Sequence, residues 1–146
     1  MRLFALIILM TSFSAMACPN LAGSYKCRST TGDETLLNIT QALTNGITTY
    51  TLTTTDEAGD ESTEVVKANG KTTSSIETDP DSGMRVSTYI TGSCPSEAFA
   101  MKVAIYMGNE LLVNVTTRFS KSGNQLHQQL SGSAMGETVS DKIICE

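Results

Sequence analysis

AFAMKVAIYMGNELLVNVTTRF, residues 98–119, decides the fold. Phe99, Met101, Val103, Ile105 and Met107 occupy alternate positions, and so do Leu111, Val113, Val115, Thr117 and Phe119. A period of two is that of a strand with one buried face. A helix would space its apolar residues three and four apart. Gly108-Asn109, between the two runs, is a two-residue turn of the kind that joins antiparallel strands. The stretch predicts a β-hairpin.

Weaker copies of this rhythm extend in both directions. Strands are expected at 22–28, 35–41, 47–53, 62–68, 71–77, 84–90, 124–130 and 137–145. Turn signals separate them, among them Asn45-Gly46, Ala58-Gly59-Asp60, Asn69-Gly70 and Ser122-Gly123-Asn124. No stretch carries helical periodicity. About ten short strands must hide one apolar face, and closing the sheet on itself does so while removing sticky edges. The expected fold is all-β, an antiparallel up-and-down β-barrel of about 8–10 strands stapled by disulfides. A two-sheet sandwich is the alternative.

The chain opens on Arg2, an apolar run from Leu3 to Met10, and Ala15-Met16-Ala17. That is the layout of a secretory signal peptide with a small-x-small cleavage site. The apolar run is too short to span a bilayer as a helix. The expected domains are a signal peptide at 1–17 and one β-barrel domain at 18–146. The second part keeps nine basic and fifteen acidic side chains, a net charge of −6. That balance argues against nucleic acid, whose phosphates need a basic surface.

All four cysteines, Cys18, Cys27, Cys94 and Cys145, follow the cleavage site. An even number in an exported chain reads as two disulfides, with three pairings open. The rival for Cys18 is a lipid anchor, since a cysteine directly after the cut also occurs in bacterial lipoproteins. That reading would leave an odd thiol. No C-x-x-C pair is present, which disfavours a redox motif, and the spacing makes a poor zinc site.

Catalytic patterns are weak. His127 is the only histidine, and QLHQQL places it on the strand face opposite Leu126 and Leu130. No G-x-S-x-G elbow supplies a nucleophile. ETDPDSG, 77–83, has the Asp79, Asp81 and Gly83 of a calcium loop, but Ile90 stands where the loop's bidentate glutamate belongs, so a turn is the better reading. TDEAGDESTE, 55–64, reads as a solvated hairpin tip that can meet a basic partner. The sequons at Asn38 and Asn114 both fall in expected strands.

Leu21-Ala22-Gly23-Ser24-Tyr25-Lys26-Cys27 resembles the opening of calycin or lipocalin-like barrels, which begin their first strand with G-x-W; Tyr25 stands in the place of the Trp. The resemblance implies a barrel able to hold a small ligand. Tyr25-x-Cys27 is also similar to the start of periplasmic inhibitors of c-type lysozyme, which are disulfide-stapled β-barrels too. Their inhibitory loop carries Ser-Gly, an aromatic and Lys, and Ser131-Gly132 keeps its first two residues.

The expectation is an exported, secreted or periplasmic, non-enzymatic binding protein with no cofactor and no metal. A small apolar ligand would sit inside the barrel, lined by Tyr25, Met84, Phe99, Met101, Val103, Ile105, Met107, Leu111, Val113, Val115 and Phe119. The alternative is a protein-binding module, such as a lysozyme-type hydrolase inhibitor, acting through surface loops. No transmembrane segment is expected.

Overall fold

A computed structural model describes residues 17–146. The expected signal peptide lies outside the described residues but for Ala17. Ten strands follow in chain order: β1 Gly23–Arg28, β2 Glu34–Thr44, β3 Ile47–Thr55, β4 Glu61–Lys67, β5 Thr72–Thr78, β6 Arg85–Ser93, β7 Phe99–Met107, β8 Glu110–Ser122, β9 Gln125–Ala134 and β10 Glu137–Cys145. They form one antiparallel sheet in the order β4-β3-β2-β1-β10-β9-β8-β7-β6-β5. The chain therefore runs up and down as expected, and the sheet curls into a half-barrel.

Two junctions set its shape. Where β10 meets β1, the ladder is short. Lys26 and Glu146 exchange both backbone hydrogen bonds, at 2.7 and 3.0 Å, and Cys27 faces Cys145 across the next position. Between β4 and β5 no ladder forms, which is where the half-barrel departs from a closed one. Beside this gap β4 approaches β6 closely at Gly92. A side-chain carbon there would come within 2.7 Å of the Lys67 carbonyl oxygen and 2.5 Å of a Val66 methyl. Glycine lets the end of β4 lie across β6. The linker behind it is pinned on both sides, with the Ala68 N–H on the Thr48 carbonyl and the Gly70 N–H on the Gly92 carbonyl, each at 2.8 Å. β4 is thus led over β6 instead of alongside β5.

The core gathers at this end of the half-barrel. Tyr50 of β3 stacks on Phe99 of β7 with ring centroids 4.1 Å apart, and Phe99 lies 5.9 Å from Phe119 of β8. The stack joins distant strands across the interior. Leu21, Ile39, Leu126 and Cys145 complete it, all essentially inaccessible. Offset aromatic contacts of this kind add to the burial of the rings themselves.

Both disulfides expected from the cysteine count are present, and they choose one of the three pairings: Cys18–Cys94 and Cys27–Cys145. The first ties the segment before β1 to the loop after β6. The second staples β1 to β10. Such bridges persist in oxidising surroundings, as in the extracellular space or the periplasm. Among the described residues, no helix is long and apolar enough to cross a membrane.

Candidate functional site

Gly23 and Tyr25, at the start of the first strand, are packed against each other. The Tyr25 ring folds back over Gly23, where a side-chain carbon would sit 2.9 Å from the tyrosine oxygen. The hydroxyl then donates to the Leu21 carbonyl at 2.8 Å. Glycine makes room for the ring, and the ring locks the entry of the chain into β1. Tyr25 is accordingly a buried core residue.

The β7–β8 hairpin forms with its two-residue turn as expected. Phe99 pairs with Phe119, Met101 with Thr117, Val103 with Val115 and Ile105 with Val113. Direct partners share a face, so these side chains form one row on the inner face. The row is not uniform. Phe99 and Phe119 are buried in the core, and Met101 packs against it. Val103, Ile105, Val113 and Val115 are half-buried and lie outside the core cluster, with Met107 beyond them. On β7 and β8 the inner face thus continues as a half-buried apolar trough past the point where the aromatic stack ends, with Glu137 of β10 on the same face, in register with Val113 through Ala134.

Two of the expected lining residues lie elsewhere. A β-bulge between Ile105 and Tyr106 pairs Tyr106 with Leu111. The extra residue, Leu112, takes Leu111 out of the Val113 row, and Leu111 is exposed. Met84 precedes β6 at the end of a turn and is also exposed.

The polar motifs resolve into turn chemistry. The Asp79 carboxylate accepts the Asp81 N–H at 3.0 Å and the Ser82 hydroxyl at 2.7 Å. These bonds hold its pKa below the ordinary aspartate value. Asp56 caps the β3–β4 turn by accepting the Asp60 N–H, and Glu57 accepts the Glu34 N–H. Among the described residues, no group of three or more His, Cys, Asp and Glu is placed to hold a metal ion. Ser131-Gly132 lies inside β9 and not in a loop. His127 stands half-buried on the outer face, opposite Leu126 and Leu130 in phase, as expected.

Sequence reasoning passed over the outer face of β5–β7. There Tyr89 and Tyr106 meet edge to face, with centroids 5.8 Å apart. Each stands across from a small residue, Ala104 and Ser87 respectively. The two rings therefore rise beside a low floor, and a groove of about 510 Å³ opens between them, Lys102 and the Gly108-Asn109 turn. The available signal was the outward phase of the same strands, where tyrosine is the one aromatic residue among hydroxyls, alanines and the cations Arg85 and Lys102.

Comparison of the chain with protein-family models, with curated proteins and with solved structures finds no match.

Proposed function

We propose that the protein is an exported, non-enzymatic binding protein that takes a small apolar or amphipathic ligand on the inner face of its half-barrel. One observation carries this reading. The paired rows Val103–Val115 and Ile105–Val113 are half-buried on the concave side, outside the packed core. Apolar surface gains about 25 cal/mol per Å² when it leaves water, so such a trough favours an apolar occupant. The open β4–β5 junction gives that occupant a way in. Secretion or export to a periplasm agrees with the two disulfides and with the leader-like sequence at 1–17.

Two measurements test it. Native mass spectrometry of protein purified from its own cells should reveal a mass that leaves on denaturation. The neutral dye N-phenyl-1-naphthylamine should brighten on binding, and Val113→Trp should remove most of that signal by filling the trough. Equal brightening in wild type and Val113→Trp would overturn the assignment.

A second reading rests on a different observation. The β3–β4 and β5–β6 turns, with Asp56, Glu57, Asp60, Asp79 and Asp81, lie at the same end of the molecule, beside the unpaired edges of β4 and β5. An acidic mouth flanked by free edges suits a cationic protein partner. A lysozyme activity assay with the protein in excess is its direct test, and undiminished activity removes that version.

A further inference from the structure

We propose that the outer face of β6–β10 binds an acidic glycan, one carrying carboxylate or sulfate groups on its sugar rings. The argument begins with where the charges fall. The chain holds fifteen acidic side chains. The outward positions of these five strands hold none of them; Glu146, one residue past β10, stands at the edge of this face and accepts from the Gln125 amide at 3.2 Å. The pairing registers put Arg85, Lys102, Arg118 and Lys142 there instead, while Asp141 and Glu137 of β10 face inward. Among the described residues, the salt bridges are those of Lys26 and Arg28 with Glu34. The four outward cations are therefore unpaired, on a protein that is acidic as a whole.

Their spacing selects the kind of anion. Arg118, Gln129 and Lys142 are direct partners across β8, β9 and β10. Two strand spacings put the cations of that row on the order of 10 Å apart at the backbone. Double-stranded DNA carries a charge about every 1.7 Å of its axis, a density this face does not match. A polysaccharide whose acid groups are separated by whole sugar rings does match it.

The surface between the cations suits sugars. Most of it is serine, threonine, asparagine and glutamine side chains, which donate and accept hydrogen bonds, with Leu111 and Ile144 exposed among them. Two grooves cross it. One is the 510 Å³ groove of Tyr89 and Tyr106, where Lys102 stands beside the rings. The other, about 410 Å³, runs past Arg118, His127, Gln129 and Lys142. Tyrosine offers an apolar ring face for the C–H side of a sugar and a hydroxyl at its tip. A groove with an aromatic wall, hydroxyls and one cation recognises an acidic sugar; the next strands supply further cations. The inference is independent of the ligand proposed for the inner face.

The test uses the disulfide-bonded protein and defined polymers. Polygalacturonate supplies carboxylates, dextran sulfate supplies sulfates, neutral dextran is the uncharged control, and a 20-nucleotide single-stranded DNA is the rival polyanion. Binding is followed by tyrosine fluorescence and by affinity electrophoresis. The expected result is retention by at least one acidic glycan, weakened by salt, and none by neutral dextran. Arg118→Gln with Lys142→Gln should weaken it at least tenfold, and so should Tyr89→Ala with Tyr106→Ala, each variant keeping the wild-type circular dichroism. Failure to bind either acidic glycan would overturn the proposal. So would binding that ignores the tyrosine pair, or DNA binding as tight as glycan binding, both of which mean general charge attraction. Should the tyrosine variants misfold, Tyr106→Ser alone serves in their place.

Discussion

At the scale of single residues, backbone crowding decides more than side-chain chemistry. Gly132 sits in the middle of β9, at φ 146°, and pairs with Val115. A side-chain carbon added there would fall on the Asn114 carbonyl oxygen and press against the Val115 backbone. Backbone atoms of a neighbouring strand cannot swing aside as a flexible side chain can. Gly132→Ala should therefore cost on the order of 1–3 kcal/mol in a denaturant titration, whereas Ser131→Ala next to it, on an exposed position, should stay within about 0.5 kcal/mol. Equal effects would mean that β9 yields to the added carbon. Tyr50 provides a pH signature. Its hydroxyl donates to the Pro19 carbonyl at 2.7 Å, and burial pushes its pKa up to about 12. An ordinary tyrosine ionises near 10. Because the folded state holds the proton more tightly than the unfolded state, this contribution to stability is intact below about pH 10 and is lost as pH rises toward 12. Melting temperatures across that window should fall less steeply in Tyr50→Phe than in wild type.

At the scale of elements, the sequence carries strand positions well and their surroundings poorly. Each expected strand corresponds to one of the ten, and the Gly108-Asn109 turn joins β7 to β8 as read. Alternation is local, so a window of eight residues holds it. What is not local was not legible. The bulge at the start of β8 depends on β9 accepting the shift, with the Met135 N–H on the Leu112 carbonyl at 2.7 Å. Counting by twos through Leu111 therefore placed it in the wrong row. The hairpin also looked equally apolar along its length, yet only its Phe99–Phe119 end is buried. The difference is set by Tyr50 and Val66, which reach that end from strands that adjoin it only through the curl of the sheet. The candidate sites divide in the same way. The trough is part of the expected lining, whereas the outer-face groove needs the register to bring Tyr89 and Tyr106 onto adjacent strands.

At the scale of the whole molecule, the two disulfides act on different parts of one shell. They close loops of similar length, with sequence separations of 76 and 118 residues. Chain entropy alone would make their contributions differ by less than about 0.5 kcal/mol. Their settings are unlike. Cys27–Cys145 lies on the β1–β10 junction, where the Lys26–Glu146 hydrogen bonds are the adjacent main-chain links. Cys18–Cys94 holds the entry segment over Tyr50, against the same core. Replacing either pair by alanine should lower stability by about 2–5 kcal/mol. Hydrogen exchange separates the two. Without Cys27–Cys145 the amides of Lys26 and Glu146 should lose protection, and the first and last strands should part. Without Cys18–Cys94 those two amides should keep their protection, and the loss should appear around Leu21 and Tyr50. Matching exchange patterns in the two variants would mean that the half-barrel opens as a single unit, and that neither bridge holds a junction of its own.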